Sequence, residues 1–329
     1  MEISILGAGS WATAIAHVLS TKYDVLLYAR NMDDVESINQ NHVNRKYLSE
    51  FKLAENIRAT NNLEDIFSNR FIVNAIPTQS TRSVLEKLKQ YVSEDNVFIN
   101  LSKGLELKTH FRLSEIFYDI LGNNITYAVL SGPTHAEEVI LEMPTAIVCA
   151  CEDEKVAKEI QEIFNTDFFR VYSSTDVIGV ELGGAIKNTL ALGIGIVSGL
   201  GYGDNTKAAI MTRGIHEMSR FTESFGAHQQ TINGLAGIGD LIVTATSMHS
   251  RNNRAGILLG KGLSIEEVNN EINMVVEGIP TTRSIYELAR EKNIELPITR
   301  EIYEILYKNK SADESISELM GRNLKSEFI

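Results

Sequence analysis

Apolar residues along the chain follow two different rhythms. Up to about residue 175, short and nearly continuous apolar runs alternate with longer segments of helical periodicity. The runs fall at 3–6, 25–28, 71–76, 97–101, 128–130, 145–150 and 168–172. Strands that are apolar on both sides are covered on both faces, as in parallel sheets. Helical periodicity over 11–20, 80–91 and 111–121 completes a βαβ alternation. The first half is therefore expected to form a doubly wound, Rossmann-like, mostly parallel sheet, in the α/β class.

Beyond residue 176 the β-rich runs stop. Helices are predicted over 177–200, 206–225, 236–246, 264–270, 280–292, 297–307 and 312–319. Pro280 and Pro297 suit first-turn positions, and Ser264 with Glu267 has capping-box spacing. The expected division is a doubly wound α/β domain at 1–175 and an all-α domain at 176–329; the residues taken up below make the first the dinucleotide-binding domain and the second the substrate and catalytic domain. No flexible linker pattern separates them, so the two parts should pack tightly.

Charge and cysteine usage narrow the classes. With 31 Lys+Arg against 43 Asp+Glu the formal net charge is −12, which argues against a general nucleic-acid binder. The two cysteines, Cys149 and Cys151, alternate on one strand, where core packing is the expected role. No Cys/His cluster offers a metal site, and the low cysteine count fits a reducing cytoplasm. The N-terminal segment lacks the pattern of a signal peptide. The longest uncharged apolar stretch, 188–203, is shorter than the roughly 18 residues of a membrane span, so a buried helix is expected.

Against this background the opening ISILGAGSWATAIAHVL carries chemistry. Gly7, Gly9 and Ala12 form G-x-G-x-x-A between a strand and a helix. Gly7 permits the tight turn, Gly9 lets a diphosphate approach the backbone, and small Ala12 allows close helix packing. Where many NAD-binding folds carry an acidic residue after the second strand, this chain has Arg30. An arginine there can accept a 2′-phosphate, which points towards NADPH, or stack on adenine; NADH stays open.

Three further segments follow strands, where open α/β sheets bind ligands: AIPTQST (75–81), NLSKG (100–104) and SGPTHAEE (131–138). They should open on one crevice. Lys103 would meet the cofactor or an anionic substrate there, or simply cap a loop. His135 is read as a structural hydrogen-bonding group before a general acid. In GVELGGAIKN, Lys187 lies on an apolar helix, where an ammonium is costly to bury unless something compensates it. A desolvated lysine is a competent acid/base, and a structural ion pair is the alternative. GLAGIGDLIVTATSMHSRNNR adds a carboxylate at Asp240 and a polar group of Ser250, Arg251, Asn252 and Arg254, a phosphate-gripping set or a solvated basic loop.

Taken in order, GAGSWATA, NLSKG, SGPTHAEEV, GVELGGAIKN, GIGDLIVT, SRNNR, VVEG and the tail LPITREIYEILYKNKSADESISELMGRNLKSE resemble the soluble bacterial NAD(P)-dependent glycerol-3-phosphate dehydrogenase family over essentially the whole chain. The resemblance implies reversible hydride transfer between NAD(P)H and dihydroxyacetone phosphate, giving sn-glycerol 3-phosphate for glycerophospholipid synthesis. Lys187 would then be the proton donor and acceptor, with Lys103, Gly132, Thr134, Asp240, Ser250, Arg251 and Asn252 around the substrate. Asp240 would also orient Lys187. Beside Gly7, Gly9 and Ala12, the implied cofactor contacts are Ser10, Trp11, Arg30, Tyr47, Lys103, Ala136, Arg251, Val275 and Glu277. Ala12 departs from the family's usual glycine and bears on cofactor preference. A homodimer in the cytoplasm is the expected form. The rivals are a 2-hydroxyacid or ketopantoate-type reductase, which has less use for SRNNR, and a non-catalytic dinucleotide-sensing module, which has none for Lys187 or Asp240.

Overall fold

The computed structural model describes residues 1–324, 326 and 327. Its strands are β1 (Glu2–Leu6), β2 (Asp24–Tyr28), β3 (Ile57–Thr60), β4 (Phe71–Asn74), β5 (Val97–Asn100), β6 (Thr126–Ser131), β7 (Thr145–Cys151) and β8 (Phe169–Ser174). The helices among them are α1 (Ser10–Ser20), α2 (Met32–Asn41), α3 (Leu63–Ile66), α4 (Thr78–Leu88), α5 (Leu113–Leu121), α6 (Ala136–Val139) and α7 (Glu154–Phe164). After them come α8 (Val177–Gly199), α9 (Asp204–Glu223), α10 (Gln229–Ile232), α11 (Asp240–Thr246), α12 (Arg251–Gly260), α13 (Ile265–Ile272), α14 (Gly278–Glu291), α15 (Pro297–Lys308) and α16 (Ala312–Met320).

The strands form one sheet in the order β3-β2-β1-β4-β5-β6-β7-β8. Only β7 runs against its neighbour, pairing antiparallel with β6; the other pairings are parallel. The central strands FIVN and VFIN are buried at every residue, as strands covered on both faces must be. Helices supply the covers through one-sided apolar stripes. In α7, for example, Ala157, Ile160, Ile163 and Phe164 face the core while Glu and Lys fill the other side. Cys149 and Cys151 are buried in the core on the same sheet face.

Two sequence expectations need amendment. Strand β3 carries no apolar run in the sequence: IRAT is short and places only Ile57 and Ala59 inside, because it forms the sheet edge. The Ser250–Arg254 segment, read as a polar cluster, opens α12 with Ser250 as N-cap, its hydroxyl accepting from Asn253 N. Polar capping residues mask a helix start when the apolar face begins a turn later.

The helical half is organised around α8. Nearly every residue of α8 is buried, and its 18-residue apolar window is 94% covered by neighbouring elements. It is the core helix of a globular fold, and no other helix among the described residues has the length and hydropathy of a span. Helix α12 lies against it backbone to backbone: Gly195 and Gly199 face Gly256 and Gly260, and a Cβ on Gly256 would overlap the Leu192 carbonyl. Glu181 ties α8 to the sheet half, accepting from Tyr127 Oη at 2.6 Å, Ser114 N at 2.8 Å and Arg112 Nη1 at 2.8 Å. Val177, Val180 and Ala236 join the core on that sheet face, so the halves share packed surface.

Candidate active site

The loops at the carboxyl ends of the parallel strands meet α8, α11 and α12 across a crevice. At its first edge lies the turn after β1. Gly7 has φ of +118°, and a Cβ there would stand 3.1 Å from Ala75 O, so the turn passes tightly over the loop after β4. Gly9 caps α1 without any side-chain hydrogen bond and has open space where a Cβ would be. Unpaired N–H groups with room above them fit the diphosphate of a dinucleotide. Ser10 and Trp11 open the helix half-buried, and Ala12 sits in the core. The Tyr47 segment is tied to this turn: Asn44 Nδ2 donates to Ala8 O at 2.9 Å, while Asn44 Oδ1 accepts from Tyr47 N at 3.2 Å. Arg30 is exposed just beyond β2.

The loops after β4, β5 and β6 are riveted together. Asn74 Nδ2 donates to Asn100 Oδ1 at 2.9 Å, Asn100 Nδ2 to Ser102 O at 2.9 Å, and Ser102 Oγ to Ile76 O. Gly104, at φ of +151°, then turns the chain so that Lys103 reaches inward. Its Nζ lies 3.1 Å from Gly132 O and 2.6 Å from Asp240 Oδ2. Gly132 itself is left-handed at φ of +156°, against Ile147. Thr134 Oγ1 donates to the same Gly132 carbonyl at 3.1 Å, and Ala136 is the first residue of α6.

Lys187 approaches Asp240 from the opposite side. Its Nζ is 3.0 Å from Asp240 Oδ1 and donates to Thr244 Oγ1 at 2.7 Å; Thr244 in turn donates to Asp240 Oδ1 at 3.2 Å. Lys187 and Asp240 are 6% and 2% exposed, so their contact is shielded from water, while Lys103 reaches the same carboxylate from a half-buried position. Gly184 makes the approach possible, since a Cβ there would stand 2.9 Å from Ser131 Oγ and 3.5 Å from Lys103 Cγ. Burial pulls the Lys187 ammonium down to about 8, against Asp240, with Lys103 and Arg251 adding to the pull. Burial alone would raise the Asp240 carboxyl, but Lys103 and Lys187 hold it below the ordinary carboxylate range. Two cations on one anion leave an excess positive charge, which an anionic ligand would compensate.

Helix α12 frames the remaining side. Asn252 Nδ2 donates to Asn188 Oδ1 at 2.8 Å, and Asn252 Oδ1 accepts from Gly278 N at 2.9 Å. Arg251 is exposed at the helix start, with Nη1 on Val275 O at 2.9 Å. Two residues on, Glu277 Oε1 accepts from Thr78 N at 3.1 Å. His135 caps α6 and holds Nε2 at 3.4 Å from Val243 O, where burial lowers its pKa; its contacts are structural. The fold brings Lys103, Asp240, Lys187, Gly132 and the α12 start together, with Arg30 and Tyr47 around the first turn. Sequence reasoning missed Thr244, whose only signal is its position one helical turn after Asp240. It also missed Thr78 and Thr281, which approach Glu277 from α4 and α14. No group of His, Cys, Asp and Glu among the described residues could hold a metal ion.

Two family models match: the NAD-dependent glycerol-3-phosphate dehydrogenase N-terminus over residues 2–157 and the corresponding C-terminus over 176–317. The chain is 48% identical to a glycerol-3-phosphate dehydrogenase [NAD(P)+] of Syntrophomonas wolfei, covering 99% of this chain and 96% of the relative. Its structure is similar to glycerol-3-phosphate dehydrogenase from Coxiella burnetii, with a TM-score of 0.93 and 36% identity over 98% of this chain and 99% of that one. A ketopantoate reductase from Ralstonia eutropha shares the fold alone, with a TM-score of 0.61 and 16% identity over 96% of this chain and all of that one.

Proposed function

This chain belongs to the NAD-dependent glycerol-3-phosphate dehydrogenase family, and from that premise we propose how its residues divide the reaction. Dihydroxyacetone phosphate, NAD(P)H and a proton are interconverted with sn-glycerol 3-phosphate and NAD(P)⁺, on the way to glycerophospholipids. Bound nicotinamide supplies or takes the hydride at C2 of the substrate. The chain supplies everything else.

Lys187 gives its Nζ proton to the C2 oxygen during reduction and takes it back during oxidation. A pKa lowered to about 8 lets it do both near neutral pH. Asp240 holds Lys187 and Lys103 at their mutual distances and offsets one of their two charges, leaving a net positive charge for the anionic substrate. Lys103 lies where cofactor and substrate meet, and Gly132 and Thr134 line the same wall. Ser250, Arg251 and Asn252 at the start of α12 hold the phosphate and glycerol end. Gly7, Gly9, Ser10, Trp11 and Ala12 take the diphosphate, Arg30 and Tyr47 the adenosine side, and Ala136, Val275, Arg251 and Glu277 the remaining cofactor edge.

The observation that carries this reading is the Lys103–Asp240–Lys187 bridge where three strand-end loops meet α8. A sensing module would have no need of it. We divide the chain functionally between residues 175 and 176, a reading supported by the end of β8 at Ser174 and the start of α8 at Val177. Arg30 supports NADPH as the better cofactor. We also read the enzyme as a cytoplasmic homodimer. Exposed Met320 and Leu324 give the helical half an apolar surface for a second copy, which sedimentation would test.

The direct test follows NADPH and NADH oxidation by absorbance, with dihydroxyacetone phosphate and with ketopantoate. Turnover confined to the triose phosphate is expected. Turnover confined to ketopantoate would overturn the substrate, and cofactor binding without turnover on either would overturn the enzyme reading.

A further inference from the structure

A cluster of buried side-chain oxygens lies beneath the Lys103–Gly104 turn. Although part of Glu277 reaches the surface, its Oε2 is buried and has no hydrogen-bond partner among the described residues, and the same holds for Thr78 Oγ1 and Thr281 Oγ1. Both threonines are 0% exposed. The three atoms converge on one point: a Cβ on Gly104 would stand 3.0 Å from each threonine hydroxyl and 3.4 Å from Glu277 Oε2. Glycine at 104 is what lets the three gather so closely, since a side chain there would press on all of them. Glu277 Oε1 is fixed by Thr78 N, so the carboxyl is held in place while its second oxygen is uncommitted.

Few charges surround it. Arg251 of α12 is the facing cation, and Lys103 stands next to Gly104 but is committed to Asp240 together with Lys187. On α4, Arg82 is bound to Glu106 and Asp119; on α14, Arg283 is bound to Glu287. Among the described residues the carboxyl has no ion-pair partner of its own. The fixed, uncompensated group belongs to the wall assigned above to the cofactor.

Resting on the dehydrogenase reading, we propose that the Glu277–Thr78–Thr281 cluster sets, through one proton, the preference of this site between oxidised and reduced nicotinamide. The charged carboxylate favours the cationic oxidised ring. The protonated carboxyl, with a threonine hydroxyl to accept its proton, removes that attraction and leaves the neutral reduced ring relatively favoured. Burial raises the Glu277 carboxyl to about 7, which brings the change into the working pH range. Linkage makes the effect reciprocal, so binding of NAD⁺ expels a proton that binding of NADH does not.

The test measures cofactor binding to the whole protein without substrate. NADH is followed by its fluorescence and NAD⁺ by competition; neither carries a titrating 2′-phosphate. From about pH 6 to about pH 8 the ratio Kd(NAD⁺)/Kd(NADH) is expected to fall about tenfold in the wild type, one pKa unit of coupling. In Glu277→Gln only the Lys187 contribution, of the same sign, should remain, at about twofold or less. An equal slope in both proteins overturns the proposal. Calorimetry of the wild type in two buffers of different ionisation heat gives an independent readout if Glu277→Gln fails to bind. Proton release with NAD⁺ and not with NADH is expected, and equal release with both overturns the proposal. Neither failure touches wild-type turnover of dihydroxyacetone phosphate, whose absence would instead remove the dehydrogenase reading.

Discussion

The sheet half and the helical half build their parts of the crevice from different materials. In the sheet half the working surface is largely backbone: glycine turns at Gly7, Gly104 and Gly132, and the open N-terminus of α1. In the helical half it is side chains, with Lys187, Asp240, Thr244 and Asn252 held on helices that nearly touch. Backbone at strand ends comes with the fold and suits a ligand common to many enzymes. Buried charges must be placed by packing specific to this chain, so the reading proposed above gives the helical half the proton chemistry, with Lys103 the one side chain of the sheet half that joins it.

The contrast is broken most severely at Lys187. Lys187→Ala is expected to lower turnover by about 100-fold or more, the scale of a positioned acid/base, while NADPH binding by fluorescence stays nearly intact. A variant with normal turnover would end the distinction between the halves. Next comes a pair of equal substitutions. Gly256→Ala forces a methyl into the Leu192 carbonyl across the α8–α12 seam and should cost about 3 kcal/mol, read as a lower midpoint in denaturant. Gly9→Ala meets open space, and should weaken cofactor binding while leaving that midpoint within about 0.5 kcal/mol. Reversal of that pattern would show that the seam tolerates expansion and the turn does not.

Smaller effects sharpen the picture. Arg30→Ala should raise KM for NADPH about tenfold with little change for NADH, since only the former offers an anion to the guanidinium. A parallel rise for both would assign Arg30 to adenine stacking. Added salt should raise KM for dihydroxyacetone phosphate by a few-fold, because the positive field of Lys103, Lys187 and Arg251 acts within an acidic protein of net charge −12. A flat response would mean that the substrate is held by short hydrogen bonds alone.

Legibility in the sequence followed the same divide. GAGSWA is readable because backbone geometry forces glycine at fixed spacing next to a strand and a helix. The buried strands of the sheet are readable because two-sided burial leaves continuous apolar runs. The edge strand β3 was not, since half of its four residues face solvent. In the helical half, Lys187 stands out as a charge on an apolar helix, but nothing in the pattern pairs it with Asp240, far along the chain. That pairing came from resemblance, and Thr244 escaped entirely because threonine on a helix is unremarkable in sequence. Thr78 and Thr281 lie about 200 positions apart and meet at Gly104 only in the fold.

The central claim is that burial and Asp240 together set the proton chemistry of Lys187, and pH–rate profiles in both directions test it most directly. Reduction requires the protonated lysine, so kcat/KM for dihydroxyacetone phosphate should fall as pH rises through about 8; oxidation requires the free amine and should rise through the same midpoint. Asp240 raises the Lys187 pKa, so Asp240→Asn should move both limbs to lower pH. Limbs of the same sense in the two directions, or midpoints that stay in place in Asp240→Asn, would contradict the account.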